Sequence, residues 1–141
     1  MALVRTKDLV AQAAADGRAV PSFNVITLEH AEAIASGVAQ AATGGALLQV
    51  SHNAIRYHGG ALRPLLAACR EIAEDADCDL AIHCDHFVDE SLTRSAIAQA
   101  DELGISSLMF DAATLPYDEN VALTAEIVRI GHEAGLWIEG E

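Results

Sequence analysis

Five short apolar runs, each closed by a polar residue, alternate with longer stretches whose apolar positions recur every three or four residues. The runs cover residues 19–24, 46–51, 80–86, 107–111 and 136–141. A short run that is apolar on both faces fits a strand buried on both sides, and repeated strand-then-helix units build a parallel sheet. The longer stretches predict helices. The first runs from Thr6, as N-cap, toward Asp16 and ends at Gly17. The second covers 28–42, with Ala31, Ile34, Ala35, Val38 and Ala42 as its apolar stripe and Gly44-Gly45 as its stop. Further helices are predicted over 62–75, 89–103 and 118–133, ended by turn residues such as Gly104 and Gly135. The residues after Ser51, through Gly59 and Gly60, read as a loop.

The predicted fold is therefore α/β with a five-stranded parallel sheet. In such a sheet the carboxyl ends of the strands share one edge, and that edge is where active sites form. The pattern lines up Asn24, Ser51, Asp85, His86, Asp111 and Glu141 along this rim. The final strand is followed by no covering helix, and eight strand–helix units need about 250 residues. Residues 1–141 are thus expected to be the N-terminal half, truncated after five strands, of a single TIM (β/α)8 barrel. The alternative is a complete five-stranded flavodoxin-like sheet, which would ordinarily add a helix after its last strand.

Composition narrows the partners. Of 141 residues 52 % are hydrophobic, enough for a core, and the net charge of −13 argues against nucleic acid or an anionic membrane surface as a partner. There is no apolar stretch of about 18 residues and no signal-peptide core. Cys69, Cys78 and Cys84 have no metal or redox spacing, which fits a reducing cytoplasm.

The sharpest chemical signal is His83-Cys84-Asp85-His86. Two histidines flank an aspartate at a strand exit, and strand alternation puts His83 and Asp85 on one face while His86 turns into the loop. Neutral imidazole is a good zinc ligand, so one histidine can hold a metal while Asp85 handles a proton. Asp111 ends a strongly apolar strand, where it suits either a helix cap or a ligand. Glu139 and Glu141 share a strand face, an arrangement that is costly unless a cation or proton intervenes. His30 and His132 read as helix residues, His52 and His58 as loop residues, and Arg56, Tyr57 and Arg63 as surface residues.

Taken in order, Ala19-Val-Pro-Ser-Phe-Asn24, Gln49-Val-Ser51, His83-Cys-Asp-His86, Met109-Phe-Asp111, Leu115-Pro-Tyr-Asp-Glu-Asn120 and Ile138-Glu-Gly-Glu141 make the chain resemble the class II, zinc-dependent ketose-bisphosphate aldolases along its whole length. These enzymes cleave fructose- or tagatose-1,6-bisphosphate to dihydroxyacetone phosphate and glyceraldehyde 3-phosphate. The resemblance implies that Asp85 is the catalytic acid and base, that His86 binds the catalytic zinc, and that Asp111 and Glu141 serve a second metal position. It implies substrate contacts for Ser51 and Asn24, a second divalent or monovalent cation, and a homo-oligomer, dimer or tetramer. It places further zinc histidines and the phosphate loops beyond residue 141, so residues 1–141 alone are expected to be inactive. The chain departs from the family pattern at Cys84, at Phe87 and at Ala112-Ala113, where Gly-Ser is usual. Two competing readings remain at this stage. One is a non-catalytic half-barrel that self-associates through its open sheet edges. The other is a different TIM-barrel phosphosugar enzyme, such as an epimerase or isomerase.

Overall fold

A computed structural model describes residues 3–42 and 44–141. Among them are five strands: β1 (Ser22–Asn24), β2 (Ala46–Ser51), β3 (Leu80–Phe87), β4 (Ile105–Phe110) and β5 (Trp137–Gly140). They form one sheet in the order β1-β2-β3-β4-β5, with every neighbouring pair parallel. Seven helices accompany it: α1 (Thr6–Ala15), α2 (Leu28–Ala41), α3 (His52–Tyr57), α4 (Leu62–Asp75), α5 (Glu90–Ala98), α6 (Ala100–Leu103) and α7 (Tyr117–Glu133).

The two faces of the sheet carry different chemistry. Leu48, Val50, Ile82, Cys84, Leu108 and Phe110 are buried and belong to one core with residues of α2, α4, α6 and α7. Burying side chains of this size is worth roughly 1.5–3 kcal/mol each and supplies the main drive for folding. The opposite face carries Gln49, His83, Asp85, Ser107 and Glu139, and it lines an open cavity. Cys69 and Cys84 lie in the core. Burial pushes the Cys69 thiol up to about 12, and burial together with the neighbouring Cys69 and Asp85 pushes the Cys84 thiol up strongly, so neither is a nucleophile.

Helix α1 closes the amino ends of the strands. Val4 N–H donates to the Leu80 carbonyl at 2.8 Å, and α1 rests against β3 and β4. The expected N-cap role of Thr6 is not what occurs. Arg5 holds that position with extended backbone, and Thr6 is the first helical residue. Its hydroxyl is drawn instead to Ser106 and Ser107, each at 2.8 Å. Between Ser51 and Gly59 the expected loop contains helix α3, and the helix expected over 89–103 divides into α5 and α6 at Gln99. Before β2 the chain turns at Gly45 with φ +137°, where a Cβ would stand 2.6 Å from the Asp79 carbonyl oxygen, so only glycine fits.

Two β-bulges break the simple alternation. From Ile82 to His83 is one step on β3, but the partners on β4 are Ile105 and Ser107, so Ser106 is an extra residue. From Cys84 to Phe87 is three steps, but the partners are Leu108 and Phe110, so β3 carries one extra residue in the Asp85–His86 pair. Bulges of this kind re-aim side chains and concentrate beside active sites.

Candidate metal centre and active site

The second bulge lets adjacent residues face the same space. In a regular strand Asp85 and His86 would point to opposite faces. Here both line the inner cavity, whose volume is about 770 Å3. His86 has φ +49°, a left-handed conformation that residues other than glycine adopt rarely. Its imidazole is thereby turned across the sheet. His86 Nδ1 lies 3.0 Å from Asp111 Oδ2 and 3.4 Å from Glu141 Oε2.

The carboxyl ends of β4 and β5 position those two acids. Asp111 N–H donates to the Phe87 carbonyl at 3.0 Å and Glu141 N–H donates to the Phe110 carbonyl at 3.2 Å, which extends the sheet pairing past the named strands. Asp111 Oδ1 also accepts from Ala113 N–H at 3.1 Å, so this residue caps the following turn and faces His86 at once. The helix cap foreseen for it is not made, since Pro116 holds the N-cap position of α7. The hydrogen bond to Asp111 raises the His86 pKa above its ordinary value, and the nearby Asp85 and Glu141 carboxylates add to the shift. The same contact holds Asp111 below the usual carboxylate range.

The three donors suit a divalent cation. One ligand atom from each of His86, Asp111 and Glu141 lies within 4.8 Å of the others. Zinc ligands at about 2.0–2.2 Å in tetrahedral geometry stand roughly 3.4 Å apart. The spacings of 3.0 and 3.4 Å are of that size, and an imidazole with two carboxylates is a donor set zinc accepts.

Around this group runs a network of amide and imidazole contacts. Gln49 Nε2 donates to Asp85 Oδ2 at 2.8 Å and to Asn24 Oδ1 at 3.2 Å, while Ser22 Oγ donates to Gln49 Oε1. Asn24 thus joins the site through Gln49. Ser51 stands apart: its Oγ accepts from Ala54 N–H at 3.1 Å and caps α3. Of the six rim residues, five are linked in or beside the cavity, and Ser51 is engaged as a helix cap. Sequence reasoning passed over Gln49, Ser107 and the orienting contacts of His83. The available signal was a polar side chain at every second position inside otherwise apolar runs. His52, treated as a loop residue, lies in α3, accepts from Val88 N–H at 3.3 Å and packs edge-on against Phe87. His30 accepts from Thr27 N–H at 3.2 Å and caps α2.

An open parallel sheet with acids and imidazole gathered at its carboxyl edge defines an α/β protein with a candidate cation site on that edge. The family description "Fructose-bisphosphate aldolase class-II" matches residues 4–141, and the chain belongs to that family. It is 36 % identical over 146 residues to the fructose-bisphosphate aldolase of Treponema pallidum, which covers all of this chain and 42 % of that protein. The chain spans about half the length, or slightly less, of the curated relatives it matches. Two solved structures share the fold. A putative fructose-1,6-bisphosphate aldolase from Coccidioides immitis superposes with a TM-score of 0.85 at 24 % identity, covering 96 % of this chain and 45 % of that one. The YdjI aldolase from Escherichia coli K12 superposes with a TM-score of 0.80 at 21 % identity, covering 97 % of this chain and 51 % of that one. The sheet described above is accordingly the N-terminal, five-stranded half of a TIM-type barrel.

Proposed function

We propose that the protein carrying this chain is a zinc-dependent ketose-bisphosphate aldolase. It would cleave fructose- or tagatose-1,6-bisphosphate reversibly to dihydroxyacetone phosphate and glyceraldehyde 3-phosphate. The observation that supports this reading is the group His86, Asp111 and Glu141, with donor atoms within 4.8 Å, beside Asp85 in a chain of the class-II family. His86 and the two carboxylates would hold the cation, with Asp111 and Glu141 also able to serve a second cation position. Bound zinc would supply Lewis acidity toward the substrate carbonyl.

The chain's own residues do the rest. Asp85 takes the proton from the substrate hydroxyl as the carbon–carbon bond breaks, and returns it in the condensation direction. Gln49 holds Asp85 Oδ2 and so limits rotation of the carboxylate. Ser51 Oγ receives the Ala54 N–H, which leaves its own O–H to donate to an anionic substrate oxygen. Asn24 contacts substrate from the β1 end. The protein is proposed to work as a dimer or tetramer in the cytoplasm. No described helix is long and apolar enough to cross a membrane.

A coupled assay of bisphosphate cleavage, with and without chelator, tests this reading. Chelator-sensitive release of triose phosphate by the native-length protein supports it. Turnover that survives metal removal contradicts it. Residues 1–141 alone are expected to show no turnover, and measurable cleavage by the isolated chain would contradict that part. Faster turnover of one bisphosphate epimer would identify the substrate.

A further inference from the structure

A second chain of polar contacts reaches Asp85 from the opposite end of the barrel. Because Ser106 is an extra residue in β4, Ser106 and Ser107 both reach the amino end of α1. Thr6 N–H donates to Ser106 Oγ at 3.0 Å, and Thr6 Oγ1 lies 2.8 Å from both Ser106 Oγ and Ser107 Oγ. Ser107 Oγ lies 2.8 Å from His83 Nδ1, and His83 Nε2 lies 3.7 Å from Asp85 Oδ1. Thr6, His83, Ser106 and Ser107 are all buried, with Thr6, His83 and Ser107 at the wall of the inner cavity.

Each hydroxyl has one proton, which leaves the chain two registers. In the first, Ser106 donates to Thr6, Thr6 to Ser107 and Ser107 to His83 Nδ1. His83 then carries its hydrogen on Nε2, facing Asp85. In the second every hydroxyl is reversed, Ser106 donates to the Ile82 carbonyl, and the bare Nε2 lone pair faces the carboxylate. The first register forgoes only the Ser106–Ile82 contact, which at 3.4 Å is longer than the other hydrogen bonds linking Thr6, Ser106, Ser107 and His83. The second sets a lone pair against a carboxylate oxygen 3.7 Å away, a repulsion that one long hydrogen bond does not offset.

We propose that His83 is a positioning residue for Asp85, held as its Nε2–H tautomer by Ser107 and, through Ser107, by Thr6 of α1. Asp85 is then hydrogen-bonded by Gln49 at Oδ2 and faced, at 3.7 Å, by the polar N–H of His83 on the side of Oδ1. Helix α1, at the far end of the strands, thereby sets the orientation of a carboxylate at the active rim. The catalytic part of this assignment rests on the aldolase reading, whereas the tautomer does not.

The test is long-range proton–nitrogen correlation NMR on 15N-histidine-labelled protein, at a pH where the imidazoles are neutral. His83 signals are assigned by their loss in His83→Gln. The expected result is a protonated, pyrrole-type Nε2 and a pyridine-type Nδ1 shifted by a hydrogen bond. Ser107→Ala should move Nδ1 to the position of an unbonded lone-pair nitrogen. Thr6→Val should move it part of the way, and Thr6→Ser should restore it. A hydrogen on Nδ1 in the unsubstituted protein, or an Nδ1 signal indifferent to Ser107→Ala, overturns the proposal, and the first of these needs no variant to fold. In the native-length protein, Ser107→Ala should lower kcat on the order of tenfold with KM within about twofold. A raised KM with unchanged kcat overturns the positioning role. Absence of aldol cleavage in the unsubstituted protein would instead sink the aldolase reading, and the NMR result would still decide the tautomer.

Discussion

Replacing His86 by glycine or by alanine separates the backbone strain at the site from the chemistry of its imidazole. Both substitutions remove the 3.0 Å contact to Asp111, so both lose the same interaction. Because His86 is half exposed, that loss is modest, about 0.5–1 kcal/mol. The backbone at φ +49° remains strained for alanine and is relaxed for glycine. A left-handed residue with a Cβ costs roughly 1–2 kcal/mol, and the extra freedom of glycine in the unfolded chain returns about 0.4–1 kcal/mol of that. His86→Gly should therefore be more stable than His86→Ala by about 0.5–1 kcal/mol. Urea unfolding of the metal-free protein, with linear extrapolation at matched slopes, reads this difference. If His86→Ala equals or exceeds His86→Gly in stability, the bulge does not store strain at the ligand position, and our account of how His86 is aimed is wrong.

The remaining predictions concern the same rim. Ser51→Ala should destabilise the protein by about 1 kcal/mol through loss of the cap on Ala54 N–H, with Ser51→Thr close to neutral; thermal unfolding of the three proteins checks this. In the metal-free protein the His86–Asp111 contact should be most stabilising between about pH 4 and pH 6.5. The raised His86 contributes fully below its ordinary value and loses that contribution as pH rises through the raised one. The lowered Asp111 contributes above its ordinary value and loses it as pH falls through the depressed one. The stability gap between the unsubstituted protein and Asp111→Asn should accordingly be widest in that window. A gap that is constant from pH 4 to pH 9 would contradict the assignment.

The strands and most helices were legible because burial on both faces writes itself as continuous apolar runs, and the helices as three-to-four spacing. Leu48, Val50, Leu108 and Phe110 are such residues, and all are buried against helices. What could not be read were features set by contacts distant in sequence. Thr6 has the residue type of an N-cap, but serines a hundred positions away claim its hydroxyl. Helix α3 is six residues long, too short to show a period, and its one histidine, His52, resembles a loop residue. The period-two rule placed His83 and Asp85 together but gave no sign of the bulges that bring His86 and Ser106 alongside them. Gln49 sits inside an apolar run, where a lone amide is easily read as incidental. Its importance follows from the register that sets it opposite His83 and within reach of Asp85.

Chelator-sensitive cleavage of fructose-1,6-bisphosphate by the zinc-loaded, native-length protein, compared with its Asp85→Ala variant, tests the central claim most directly. We expect one zinc site per protomer that is weakened by His86→Ala. We also expect Asp85→Ala to lower kcat by 10²-fold or more, the usual order for a general acid–base, while the metal is retained. Undiminished turnover in Asp85→Ala, or full activity after zinc is stripped, would contradict the account.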